Sequence, residues 1–131
     1  MTLHTIAPVF DENSKILVLG SFPSVKSREE GFFYGHPQNR FWKVIANAFD
    51  TNTPQSIEEK KALLLSNGIA LWDVIHSCDI VGSSDSSIKN VVPNDISKIL
   101  KTANIEKIIT NGKKADLLYK KYIEPKFNIK A

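Results

Sequence analysis

Between Val18 and Lys43 the chain reads VLGSFPSVKSREEGFFYGHPQNRFWK, which collects the side chains best suited to hold a flat heterocycle. They are three adjacent aromatic rings (Phe32, Phe33, Tyr34), the imidazole of His36 and the amides of Gln38 and Asn39. Three neighbouring aromatics in a loop cannot all point into one core. Either one of them stacks on a ligand, where a base–aromatic contact contributes about 1–3 kcal/mol, or the cluster is simple loop packing. His36 to Trp42 lead into a helix, and a helix N-terminus favours anions or an activated water. Asn39 stands there as a functional amide or only as an N-cap. Arg40 is a phosphate contact or a surface pair, and Trp42 is a core residue. Upstream, Gly20-Ser21-Phe22-Pro23-Ser24 can present backbone N–H groups to an anion or a base edge. It lacks the glycines and lysine of the phosphate-binding loop and of the dinucleotide fingerprint.

Asp73 ends a second apolar run, Ile69 to Val74, where its carboxylate is an acceptor for substrate or a cap for the next turn. His76, Cys78 and Asp79 loosely resemble a metal cluster, but one cysteine without a second ligand pair argues against zinc. The serines from Ser77 to Ser87 show no nucleophile-elbow pattern.

The elements that position these groups alternate. Lys15 to Gly20 is expected to be a strand, and the unbroken apolar run within it implies burial on both faces as in a parallel sheet. Helix is expected from about Asn39, where Phe41, Trp42, Ile45 and Phe49 recur at helical spacing behind Pro37. Ser56-Ile57-Glu58-Glu59 is a capping box that opens a helix ending at Asn67-Gly68. Ile69 to Val74 is the second strand, followed by a long polar loop from His76 to Asn90. Asn94 is expected to cap a helix running to about Thr102, and Ile105 to Thr110 is the third strand. Asn111-Gly112 turns into a helix from Lys113 to Tyr122, Pro125 breaks it, and Phe127 to Ala131 begins a fourth strand. Residues 1–14 read as an arm with Val9-Phe10 tucked against the domain. The alternation predicts an α/β fold, a parallel sheet between helix layers with right-handed crossovers.

At 131 residues the chain is expected to be a single domain, 1–131. No apolar run is long enough to span a bilayer, and the N-terminus lacks a signal peptide's basic start and apolar core. The lone Cys78 rules out an internal disulfide and suits a reducing cytosol, so a cytoplasmic, monomeric protein away from membranes is expected. Charge is divided unevenly. Residues 1–97 carry 8 Lys/Arg against 11 Asp/Glu, a net −3, and residues 98–131 carry 9 Lys against 3 acidic residues, a net +6. Such asymmetry fits contact with a polyanion or a lysine-rich solvated helix.

Gly20 to Ser24 followed by Phe33-Tyr34-Gly35-His36-Pro37-Gln38-Asn39-Arg40-Phe41-Trp42-Lys43 resembles the uracil-DNA glycosylase superfamily, most closely its hypoxanthine-DNA (deoxyinosine) glycosylase branch. The similarity continues through Leu71-Trp72-Asp73-Val74 and the serine-rich loop to Ile109-Thr110-Asn111-Gly112. The resemblance implies a three-layer αβα sandwich on a four-stranded parallel sheet of order 2-1-3-4, the last strand incomplete here. It also implies excision of a deaminated base flipped out of DNA, since the sugar–base bond is inaccessible within the stack. No cofactor or metal is implied, and damaged DNA is the implied partner, with nucleoid association when DNA is bound.

The same resemblance assigns roles. Asn39 corresponds to the catalytic position, where an amide that does not titrate near neutrality orients water. Ser21, Phe22, Tyr34, His36 and Asp73 correspond to base-binding positions: Tyr34 as the stacking aromatic, the backbone around Ser21 and Phe22 as donors to the departing base, Asp73 as reader of the ring N1–H of hypoxanthine. Many relatives place Asp or Asn where this chain has Phe22, which cannot orient water. Ser24, Arg40 and Lys43 fall to the DNA backbone. The family's second signature loop, which pinches DNA after the fourth strand, would lie past Ala131, so a C-terminally truncated chain is expected. Beside the enzyme stands the alternative of a weak or inactive nucleic-acid or nucleotide-binding module on the same fold. A small-molecule hydrolase is a third reading.

Overall fold

The computed structural model describes residues 1–35 and 39–131. In chain order the elements are β1 (Thr2–Leu3), β2 (Ile16–Gly20), α1 (Val25–Glu30), α2 (Phe41–Ala48), α3 (Ile57–Ser66), β3 (Ile69–Asp73), β4 (Ile75–Asp79), β5 (Lys89–Pro93), α4 (Ser97–Thr102), β6 (Lys107–Thr110), α5 (Lys113–Leu118) and α6 (Glu124–Phe127). A wide π-type turn, Tyr119–Ile123, joins α5 to α6.

The apolar run of β2 forms the centre of a parallel sheet of order β3-β2-β6. Alternation along the strand sorts its side chains between two cores. Leu17 and Leu19 pack with Ala70, Ile96, Ile99 and Ile108 on one face. Val18 packs with Leu71, Phe33, Trp42 and Leu64 on the other. Leu17 and Leu19 are fully buried, each stabilising the fold by about 1.5–3 kcal/mol relative to exposure. The three strands stand in the order expected for the first three of the family's sheet.

The rest of the expected sheet is corrected. The parallel sheet has three strands among the described residues, not four, and a second sheet of order β1-β4-β5 is antiparallel. Phe127 closes α6, and Asn128 takes the left-handed conformation (φ 55°) that caps the helix, so no strand begins there. Pro125 sits in the first turn of α6, where its missing N–H breaks no helical bond.

The segment read as one long polar loop carries β4 and β5 at its two ends. Its strand period is hidden by composition: Ser77 is buried beside Ile75 and Cys78, while His76 is exposed. The arm is likewise built in. Thr2 and Leu3 pair with Cys78 and Ser77, and Val9 exchanges both backbone hydrogen bonds with Leu71 (3.0 and 2.9 Å).

Two caps also differ. Ser56 Oγ accepts the Glu59 N–H at 3.1 Å, but the Glu59 carboxylate accepts from Gln55 N rather than Ser56 N. Asn94 does not cap α4; it is buried, and Asp95 Oδ1 accepts from Ser97 N instead. Among the described residues no helix is long and apolar enough to cross a membrane.

Candidate active site

Parallel strands deliver their carboxyl ends to one edge. Gly20 faces Asp73 in the β2–β3 register, and Leu19 faces Thr110 in the β2–β6 register. Asn111 follows directly, its N–H donating to Leu19 O at 2.8 Å. Gly20 and Asp73 share the parity of Val18 and Leu71, so both turn toward the face carrying Phe33 and Trp42. A cavity of about 190 Å³ opens on that edge, lined by Gly20, Ser21, Phe22, Tyr34, Asp73 and Asn111, with Ser24, Asn39 and Asp85 at its rim.

Asp73 is 3% exposed and held from two sides. Between β3 and β4 the chain swings from one sheet to the other at Val74, whose N–H donates to Gly20 O at 2.7 Å. Asn94 pins that bend, its Nδ2 donating to Asp73 O at 2.8 Å and to Ile75 O at 3.1 Å. On the side chain, Asp73 Oδ2 lies 2.8 Å from His4 Nε2. The His4 ring packs against Phe22, Phe33 and Trp72, with centroids 5.9, 6.0 and 6.2 Å away.

Tyr34 is the other wall. Its φ of 51° is left-handed, uncommon for an aromatic residue. Its ring stacks on Phe41 at 4.1 Å with a 26° tilt, and Asn111 Nδ2 donates to its hydroxyl at 3.0 Å. Burial raises the phenol pKa well above its ordinary value; the Asp73 charge raises it further, and the Asn111 bond only partly offsets them. The hydroxyl therefore keeps its proton at neutral pH. A side chain on Gly20 would run into Asp73 Oδ1 and the Tyr34 hydroxyl, so glycine is what lets these two groups close over β2.

Asn39 reaches the rim of this cavity. Its Oδ1 accepts the Phe41 N–H at 2.8 Å, so it serves the first turn of α2 as a cap. An amide oxygen has two lone pairs, and one remains for another donor. Ser24 also lines the cavity, but its hydroxyl caps α1, accepting from Ser27 N (3.2 Å) and donating to Ser27 Oγ (3.1 Å). Ser21 Oγ donates to Asp85 Oδ1 at 3.2 Å. Phe22 is 9% exposed, with the Arg28 guanidinium 5.5 Å from its ring centre.

Arg40 and Lys43 are not in the base-sized cavity. With Lys60 they line a neighbouring groove of about 490 Å³ that shares Tyr34 and Asn39 with it. His36 lies outside the described residues. The serine-rich loop crosses the rim and is tied down by Ser83 Oγ, which accepts from Val25 N (2.9 Å), and by Arg28 Nη2, which donates to Gly82 O (2.6 Å). His76, Cys78 and Asp79 do not converge. Among the described residues no group of three His, Cys, Asp or Glu side chains is placed to hold a metal.

Four site residues escaped the sequence reading: His4, Gly20 as a steric requirement, Asn94 and Asn111. Asn111 had a usable signal, since it follows the third parallel strand as Asp73 ends the second. His4 had none, lying 69 residues from its partner.

The sequence profile described as the uracil DNA glycosylase superfamily matches residues 7–128. A Methanosarcina acetivorans protein named hypoxanthine DNA glycosylase is 39% identical over 109 residues, covering 82% of this chain and 69% of its own length. A Methanosarcina barkeri protein of the same name is 38% identical over 111 residues, covering 82% and 70%. A Methanosarcina acetivorans protein solved by solution NMR has a similar fold, with a TM-score of 0.80 at 34% identity over 95% of this chain and 78% of that one.

Proposed function

The chain belongs to the uracil DNA glycosylase superfamily, and from that we propose that it is a monofunctional DNA glycosylase acting on a deaminated base, hypoxanthine first and uracil second. The observation that carries this reading is the convergence of Asp73, Tyr34 and Asn39 on one base-sized cavity at the carboxyl edge of the parallel sheet. Relatives named hypoxanthine DNA glycosylase support the choice of base.

The flipped nucleotide enters beside Tyr34, whose ring is backed by Phe41 and offers a rigid wall for stacking. Asp73 accepts the N1–H of hypoxanthine, or the N3–H of uracil. Adenine has no proton on N1 and would set a ring lone pair against a carboxylate, a mismatch that costs both groups a partner. The N–H groups of Ser21 and Phe22 receive charge on the departing base, and His36 is assigned to base binding on its motif alone. Asn39 Oδ1 orients a water on C1′ as oxocarbenium character develops. The C1′–N bond breaks with its electron pair on the base, the water oxygen bonds C1′, and the water proton leaves to solvent. Arg40 and Lys43 hold phosphates along the adjoining groove, and Ser24 meets the DNA backbone from the base-sized cavity. We place the protein in the cytoplasm as a one-domain monomer spanning residues 1–131, a reading supported by its lone, buried cysteine.

One contact favours a second reading. Asn39 Oδ1 is already engaged by Phe41 N, and a chain that used it only as a cap would bind nucleic acid without turnover.

The test is incubation with duplexes carrying deoxyinosine, uracil, xanthine or only normal bases, followed by alkaline cleavage at abasic sites. Scission at deoxyinosine, slowed about 10²-fold in Asp73→Ala, is expected. Salt-dependent duplex binding without scission would instead establish the binding module.

A further inference from the structure

We propose that His4 is a positioning residue of the base-reading site: from the N-terminal segment it holds the Asp73 carboxylate so that Oδ1 is presented to a ring N–H of the substrate base. The inference rests on the glycosylase reading above.

Three observations carry it. His4 Nε2 and Asp73 Oδ2 are 2.8 Å apart, with their side chains 1% and 5% exposed. A hydrogen bond to a carboxylate this far from water is strong and directional. The imidazole cannot turn away, being wedged among Phe22, Phe33 and Trp72. Its backbone is fixed as well: His4 N donates to His76 O at 2.7 Å, and Trp72 Nε1 donates to Ile6 O at 3.2 Å. The second carboxylate oxygen lies over Gly20, beside the Tyr34 hydroxyl, within the cavity wall. With Oδ2 taken by His4, rotation of the carboxylate about its Cβ–Cγ bond would break that bond. The orientation of Oδ1 is thereby set by a residue that need not touch the base.

The network assigns the proton of His4 to Nε2, donating to Asp73. A glutamine amide nitrogen can reach the place of a histidine Nε2, whereas the shorter asparagine cannot. That difference separates a directed hydrogen bond from the filling of space. Misplacing a reacting or reading group by about 1 Å can cost about 10²-fold in rate.

The experiment measures single-turnover excision from a deoxyinosine duplex for the full chain and for His4→Ala, His4→Asn and His4→Gln, each checked by thermal melting. We expect Ala and Asn, which lose the hydrogen bond to Asp73, to slow excision about 10²-fold, and Gln, which keeps it, to stay within about tenfold of the parent. His4→Ala combined with Asp73→Ala should be no slower than Asp73→Ala alone, since the first acts through the second. If His4→Ala unfolds, the Gln and Asn variants decide the matter, because both keep a buried amide and differ in reach. Equal rates for Gln and Asn, or a full additional loss in the double variant, would overturn the role of His4 while leaving the glycosylase reading standing. A parent chain that excises no base would remove that reading, and this inference with it.

Discussion

Gly20 and Asp73 stand opposite each other in the parallel register, and the space a side chain on Gly20 would occupy is filled by Asp73 Oδ1 and the Tyr34 hydroxyl. Backbone pairing thus brings a carboxylate and a phenol from distant parts of the chain to one point. The closeness depends on a missing methyl group.

Gly20→Ala should therefore act on both fold and site. Forcing a Cβ into this contact should destabilise the protein by about 1–3 kcal/mol and push Asp73 or Tyr34 out of the cavity wall. Thermal melting should fall while excision falls further than the lost stability explains. An unchanged rate would show that the Asp73–Tyr34 approach is unnecessary.

In the proposed mechanism Asn39 has two separable jobs. Asn39→Ala should lose the cap, costing about 0.5–2 kcal/mol, together with excision. Asn39→Ser should keep the cap and the melting temperature, since serine caps about as well as asparagine, yet still lose excision because its hydroxyl is too short to hold the water. Retained activity in the serine variant would move water positioning to another residue.

Two tyrosines should resist alkaline titration. Burial and the Asp73 charge hold Tyr34 far above the ordinary phenol value, and burial with the Glu124 charge pushes Tyr119 up to about 12. Each folded pKa is raised above the unfolded one, so the stability they confer is complete below about pH 10 and is lost as pH rises through the folded values. Ultraviolet titration should show their ionisation only together with unfolding, or near pH 12 for Tyr119. In Tyr119→Phe, which lacks the hydroxyl that donates to Ile129 O, the step assigned to Tyr119 should vanish.

The groove beside the cavity should show itself through salt. Lys43→Ala and Arg40→Ala should each weaken DNA binding on any sequence and lower the salt slope by about 0.9, the value for one phosphate contact on B-DNA. Binding titrations at several salt concentrations measure this. A changed preference among bases with an unchanged slope would mean that the side chain reads the base instead.

The parts of this fold legible in the sequence were those with strong local periodicity. Ile16 to Leu19 and Ile69 to Trp72 are unbroken apolar runs, and the residues that end their strands, Gly20 and Asp73, mark the site edge without further information. Ser56 and Gly68 bracket α3 through local cap chemistry. What stayed hidden depends on pairings between remote segments. β4 shows no clear apolar alternation because Ser77 is buried and hydrogen-bonded backbone, rather than side-chain hydrophobicity, holds it between β1 and β5. Phe127 to Ile129 has strand composition, but the helix ahead of it continues through Pro125 and closes at Asn128. At the site, Asp73 and Asn39 were visible from position and motif. His4 was not, since a lone histidine in the N-terminal segment carries no mark of the carboxylate it meets.

Release of free hypoxanthine from a deoxyinosine duplex tests the central claim most directly, read by chromatography of the small-molecule fraction under single-turnover conditions. The parent chain should release one base per lesion and leave an alkali-labile abasic site, with Asn39→Ser folded but slower by at least about 10²-fold. A folded parent chain that binds the duplex yet releases no base above the Asn39→Ser level would contradict it.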